Sequence, residues 1–176
     1  MASESFLAGA LSDIIRHLNE QSADYALAGG WAFSALVEPR ATTDIDLVIL
    51  IENPSVSTLA QLFASIFESV VPHPAPMVFK GQSIWRIVGI RQECEIVMDL
   101  LLAESEFLRH ALSRKKTVEF LGLPVPLLTL EDLILLKLLA GRLQDRADLE
   151  KIDQRRADLQ VDWEYVQRWK LQLGIP

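Results

Sequence analysis

Hydrophobic and polar positions follow two different periods along this chain. From Ser3 to Gln21, Leu7, Leu11, Ile14, Ile15 and Leu18 fall on one stripe, which predicts an amphipathic helix. Tyr25 to Ala28 predicts a short strand, Gly29-Gly30 a turn, and Trp31 to Val37 a helix. A loop with Pro39 spans Glu38 to Thr43, and Asp44 to Ile51, rich in β-branched residues, predicts a strand. Asn53-Pro54 ends that strand, and Ser55 or Ser57 caps a helix running to about Ser69. Pro72, Pro74 and Pro76 predict an extended loop.

Met77 to Phe79, Ser83 to Val88 and Cys94 to Leu102 read as three strands, and Ser105 as the cap of a short helix. Thr117 to Pro126 predicts a hairpin turning near Gly122. Thr129 caps an apolar helix to about Ala140, which Gly141 interrupts or kinks. A polar helix follows from Arg142 to about Leu159, and Asp162 caps a last helix ending at Gly174. Strands interleaved with helices, then helices alone, predict an α+β or α/β fold: a mixed sheet flanked by helices. The expected division is a core over residues 1–128 and a helical region over 129–176.

Composition narrows the function. The chain has 176 residues, half of them hydrophobic, enough to bury a core without covalent staples. Its one cysteine, Cys94, excludes an internal disulfide. Met1 to Ala10 has no basic residue and carries Glu4, so no secretory signal is expected, and no apolar run reaches the roughly 20 residues that span a bilayer. The expected location is cytoplasmic. A net charge of -7 argues against broad binding to phosphate backbones.

The chemistry centres on Gly29-Gly30 followed, after thirteen intervening residues, by Asp44-Ile45-Asp46. Alternate strand residues share a face, so Asp44 and Asp46 point the same way. Two adjacent carboxylates repel unless a cation lies between them, and hard oxygen ligands suit Mg²⁺. A solvated strand end with two surface acids is the plain alternative. Glycines between a strand and a helix let backbone approach a phosphate at the helix N-terminus, which favours the site. Asp99 is the sole charge between Ile96 and Leu102, so it needs a metal or a structural ion pair. Glu95, on the same face, is its substitute.

Lys137 is the only polar residue from Leu133 to Ala140. It either snorkels to water or meets an anion, which is a triphosphate or Asp145 or Asp148. On an unbroken helix Lys137 and Asp148 would stand about 16 Å apart, so contact requires the chain to fold back at Gly141. Arg40 and Thr42 precede the aspartate pair, where a guanidinium could clamp phosphate, neutralise Asp44 or brace the loop. Trp31 and Trp85 are candidates for stacking on a base, with core packing as the alternative. The basic run Arg114-Lys115-Lys116 reads as a solvated turn more readily than as an RNA contact.

The stretch from Tyr25-Ala26-Leu27-Ala28-Gly29-Gly30-Trp31-Ala32 to Arg40-Ala41-Thr42-Thr43-Asp44-Ile45-Asp46-Leu47 resembles the nucleotidyltransferase superfamily. Within it, the chain is similar to the AbiEii-type, minimal nucleotidyltransferases often found in toxin–antitoxin loci. Leu130-Glu131-Asp132-Leu133, Lys137, Ala140-Gly141-Arg142, Asp145 and Asp148 resemble a second motif of that group. The resemblance covers roughly residues 20–155. It implies Mg²⁺, as one or two ions, on Asp44, Asp46 and Asp99, and a nucleoside triphosphate co-substrate. Its phosphates would lie on Gly29 and Gly30, with Trp31, Arg40 and Thr42 beside them. Lys137 would assist the triphosphate, and Asp145 or Asp148 would complete the site. The implied acceptor is a hydroxyl of a tRNA, a protein or a small molecule such as an aminoglycoside, and the implied partner a cognate antitoxin. One departure is Trp31, where many members carry Ser or Thr; Ser34, a turn on, is the candidate replacement. The chain's acidity favours a cationic small acceptor. The alternative function is a degraded, non-catalytic fold that binds a nucleotide or a partner. A glycosyltransferase would leave Gly29-Gly30 unexplained.

Overall fold

The protein is described by a computed structural model, which covers the backbone of residues 2–176 and the side chains from Ser5 onward. Helix α1 (Ala2–Glu20) buries Leu11, Ile14, Ile15 and Leu18 completely, the stripe expected from the periodicity. Strand β1 (Tyr25–Leu27) leads into α2 (Gly29–Leu36), and β2 (Asp44–Ile49) follows. Helix α2 begins at Gly29 itself, so the two glycines open the helix instead of forming a separate turn. Helix α3 (Val56–Phe63) is capped by Ser55, whose side chain accepts from the Thr58 amide.

Helix α3 is shorter than its pattern suggests, because β3 (Ser69–Pro72) occupies the end of the expected helix and the start of the proline-rich loop. Pro72 is tolerated there because β3 is an edge strand, where a missing N–H costs no ladder bond. Strands β4 (Met77–Phe79), β5 (Gln82–Arg91) and β6 (Cys94–Leu102) form a meander. Helix α4 (Glu106–Ser113), capped by Ser105, and the hairpin β7 (Lys116–Phe120) and β8 (Leu123–Leu127) complete the sheet region. The C-terminal third is α5 (Leu130–Ala140), α6 (Leu143–Gln154) and α7 (Trp163–Gln172).

The eight strands form one mixed sheet in the order β3-β5-β6-β2-β1-β8-β7, with β4 added on β5. β2 is antiparallel to β1 and parallel to β6. This pairing decides the chemistry. Ile45, Leu47 and Ile49 of β2 and Met98, Leu100 and Leu102 of β6 form one buried layer. By alternation, Asp44, Asp46 and Asp99 rise from the other face, and Asp46 lies directly beside Asp99 in register.

Two polar networks hold the helices. Arg114 donates to Asp132 and Glu131 and lies over the Tyr165 ring at 3.8 Å, while the Tyr165 hydroxyl donates to Asp132. That network ties α7 to the start of α5. The second surrounds Lys137. Gly141 takes a left-handed conformation, φ 65°, and reverses the chain between α5 and α6. Lys137 then meets Asp148 at 2.5 Å. No helix among the described residues is long and apolar enough to cross a membrane.

Candidate active site

Asp44, Asp46 and Asp99 each offer an oxygen, and these oxygens lie within 4.8 Å of one another. Strand alternation brings Asp44 and Asp46 to one face, and the β2–β6 register brings Asp99 to them. Asp44 is anchored by the Thr42 hydroxyl, which donates at 3.2 Å. Asp99 receives a bidentate pair from Arg86, Nε at 2.8 Å and Nη2 at 2.7 Å. Arg86 faces Asp99 across the antiparallel β5–β6 pair. Charge-assisted, forked bonds of this kind fix a carboxylate's direction as well as its charge.

Gly29 stands against Asp46. Its φ is +59°, and a methyl group there would lie 1.7 Å from Asp46 Oδ2. Gly30 is closed in the same way by Thr42, whose Oγ1 would be 2.6 Å from an added Cβ. The diglycine is therefore required by the proximity of the β2 acids and their loop. Helix α2 has no side-chain cap, so its first-turn N–H groups remain open to a ligand.

A cavity of about 570 Å³ opens at this point. Its polar end is formed by Gly29, Asp46, Asp99, Lys137, Arg142 and Asp145. Asp46 is raised to about 7, first by burial and then by the charges of Asp44 and Asp99, against the opposing pull of Arg142 and Lys137. Burial and the two neighbouring acids thus outweigh the pull of Arg142 and Lys137 on Asp46.

That shift has a testable consequence for the metal-free protein. Between about pH 4 and about pH 7 the folded state keeps a proton on Asp46 that the unfolded chain has lost. Folding stability from this group therefore falls as pH rises through that window, by at most about 4 kcal/mol. Urea unfolding in EDTA at pH 5, 6 and 7.5 is expected to show the decline. Asp46→Asn should remove it, the wild-type minus variant difference isolating the one group.

The other residues named from the sequence divide into two sets. Lys137 and Asp145 line the cavity. Asp148 does not; it is fully buried behind Lys137, which contacts it at 2.5 Å and Asp145 at 3.9 Å. The anion at Lys137 is thus one of the chain's own acids. Arg40 also meets Asp148, Nε at 3.2 Å, in place of phosphate or Asp44. Asp145 receives bonds from the Arg142 backbone and guanidinium and opens helix α6. Trp31 turns from the cavity to an edge contact with Phe120, ring centroids 6.3 Å apart. Ser34 donates to the backbone oxygens of Gly30 and Arg40, so its hydroxyl is engaged. Trp85 is core, 5 % exposed, with its indole N–H donating to the His73 carbonyl. Glu95 is exposed and stands outside the acidic cluster.

Arg86 is the site residue that sequence reasoning missed. Its signal was present: an arginine set between Ile84-Trp85 and Ile87-Val88, one hairpin away from the lone Asp99.

No family model matches the chain, and no curated protein matches its sequence. Solved structures do match. An antigenic nucleotidyltransferase-like protein from Paracoccidioides brasiliensis superposes with TM-score 0.57 at 23% identity, over 83% of this chain and 73% of that one. The chain has the nucleotidyltransferase fold. A nucleotidyltransferase candidate from Thermotoga maritima shares this fold with TM-score 0.54 and 18% identity, over 80% and 88% of the two chains. ANT(2″)-Ia, solved in complex with adenylyl-2″-tobramycin, shares it over 95% of this chain and 96% of its own, with TM-score 0.58 and 15% identity. In this nucleotidyltransferase fold the acidic cluster lies on the open face of the sheet, between α2 and α5.

Proposed function

We propose that the protein is a metal-dependent nucleotidyltransferase that moves a nucleoside monophosphate from a nucleoside triphosphate to an acceptor hydroxyl. The observation that carries this is the convergence of Asp44, Asp46 and Asp99 oxygens within 4.8 Å beside Gly29. The fold shared with ANT(2″)-Ia, and that protein's complex with adenylyl-2″-tobramycin, support the class of reaction.

The donor set fits a hard divalent cation. It is all carboxylate and closely spaced. Asp44, Asp46 and Asp99 would hold Mg²⁺, as one or two ions, which would neutralise phosphate charge and acidify the acceptor hydroxyl. The rest is positioning by the chain. Gly29 leaves room for phosphate where any side chain would collide with Asp46. The uncapped start of α2 presents N–H donors and a positive dipole end to that phosphate. Lys137 and Arg142 add positive charge to the polar end, each held in place by Asp145 or Asp148. Arg86 holds both oxygens of the Asp99 carboxylate and so fixes its orientation beside the other two acids. These terms act by orientation and charge stabilisation, which dominate phosphoryl-transfer catalysis.

A binding-only reading has one observation in its favour: Trp31 supplies no hydroxyl at the helix start, and that of Ser34 is engaged with backbone. Incubation with each α-labelled triphosphate, Mg²⁺ and cell extract separates the two. Label transferred to an acceptor by wild type but not by Asp46→Asn supports the enzyme. Tight nucleotide binding with no transfer supports the module. A toxin role with a cognate antitoxin rests on the motif resemblance; its signature is growth arrest on expression that Asp46→Asn abolishes.

A further inference from the structure

The cavity has a second end. In register order, Arg86 and Asp99 pair, then Ile84 and Leu101, then Met77 against Ile84 and Phe79 against Gln82. Paired residues share a face, so the sheet face that carries the acids continues outward as an apolar wall of Ile84, Leu101, Met77 and Phe79. Leu133 and Leu136 of α5 close it from the opposite side. Met77 and Phe79 are each 45% exposed and Val78 is 73% exposed, in the small hairpin that borders the cavity. This wall lies across the acidic cluster from Gly29, because β6, β5 and β4 extend from one side of β2 and β1 from the other.

That placement gives the wall a role within the nucleotidyl-transfer reading, on which this inference rests. The triphosphate belongs on the Gly29 side, with the helix start, Lys137 and Arg142. In-line displacement places the incoming oxygen opposite the leaving group, which is the Asp99 and Arg86 side. Arg86 stands at the junction. Its side chain is 48% exposed, and Asp99 takes Nε and Nη2, leaving the Nη1 edge of a five-donor guanidinium available. The carboxylates that line the cavity are Asp46 and Asp99 of the cluster and Asp145, which Arg142 and Lys137 already engage. Among the described residues, Asp99, already paired with Arg86, is the one carboxylate lining the acceptor side of the cavity. The overall charge of -7 does not extend to this wall.

We propose that the acceptor is a small hydroxyl compound with a flat apolar body and an anionic group. Its body lies on Ile84, Leu101, Met77 and Phe79, its anion meets the free edge of Arg86, and its hydroxyl reaches the Asp99 side of the cluster. A polycationic acceptor is disfavoured by the same arrangement, although ANT(2″)-Ia shares the fold.

The test uses 1,8-anilinonaphthalene sulfonate, an aromatic anion whose fluorescence rises in apolar sites, on the folded full-length protein. One molecule is expected to bind per chain. Arg86→Gln should weaken it about tenfold, the loss of one charge-assisted contact. Phe79→Ser, at an exposed hairpin position remote from the core, should weaken it comparably and guards against an unfolded Arg86 variant. Unchanged affinity in both folded variants, or no binding to wild type, overturns the proposal. In a transfer assay with labelled triphosphates and Mg²⁺, labelling of 4-hydroxyphenylacetate in preference to tobramycin and tRNA supports it. Preferential labelling of tobramycin or tRNA overturns it. Absence of Mg²⁺-dependent nucleotide binding would instead defeat the nucleotidyl-transfer reading, while the dye result would still report on the wall.

Discussion

Gly29→Ala is expected to abolish nucleotidyl transfer while leaving a folded sheet. Two effects act at one atom. Gly29 sits at φ +59°, where an L-residue costs about 1–2 kcal/mol. The new methyl would also stand 1.7 Å from Asp46 Oδ2, a distance no packing tolerates. The aspartate must therefore rotate away from Asp44 and Asp99, or α2 must retreat from β2. Either movement exceeds an ångström, which costs an active site about 100-fold or more in rate. Thermal unfolding should show a modest loss of stability, and labelled-triphosphate assays a loss of at least that factor. Unimpaired transfer in Gly29→Ala would mean that the diglycine does not shape the site.

The largest stability effect is expected at Asp148, and not at any residue of the acidic cluster. Asp148 is completely buried and balances Lys137 at 2.5 Å and Arg40 at 3.2 Å. Both cations also lie over the Phe33 ring, at 5.3 Å and 5.8 Å. Asp148→Leu leaves Lys137, itself 3% exposed, with the 3.9 Å contact to Asp145 as its remaining ion pair among the described residues. An uncompensated buried charge costs about 3–5 kcal/mol. Lys137→Met alone should cost less, because Arg40 and Gln144 still engage Asp148. The double variant should recover part of the loss, since it removes both the acid and its closest cation. Urea midpoints of the two single variants and the double variant check this. A loss below about 1 kcal/mol in Asp148→Leu would contradict the ion-pair account.

Much of this site could be read from the chain because its signals were local. Alternation alone placed Asp44 and Asp46 on one face, and a lone charge in an apolar strand marked Asp99. The caps at Ser55, Ser105, Thr129 and Asp162 were legible because each side chain serves an amide three residues ahead. Non-local relations were harder. The Arg86–Asp99 pair depends on the register of two strands, which neither strand states by itself. Lys137 and Asp148 meet only because Gly141 turns left-handed, a choice that a glycine permits without dictating. Trp31 follows from where the β7–β8 hairpin lies, since Phe120 supplies the contact that turns it from the cavity. Helix α3 ends early because edge pairing with β5 claims Ser69–Pro72, and edge pairing is a property of the sheet.

The most direct test of the acidic cluster is calorimetric titration of ATP, CTP, GTP and UTP into the protein, with Mg²⁺ and with EDTA. The expected result is that at least one nucleotide binds only in the presence of Mg²⁺, with one site per chain, and that Asp46→Asn removes this binding in a folded protein. Nucleotide binding that is equal in EDTA and in Asp46→Asn, or absent for all four nucleotides with Mg²⁺, would contradict it.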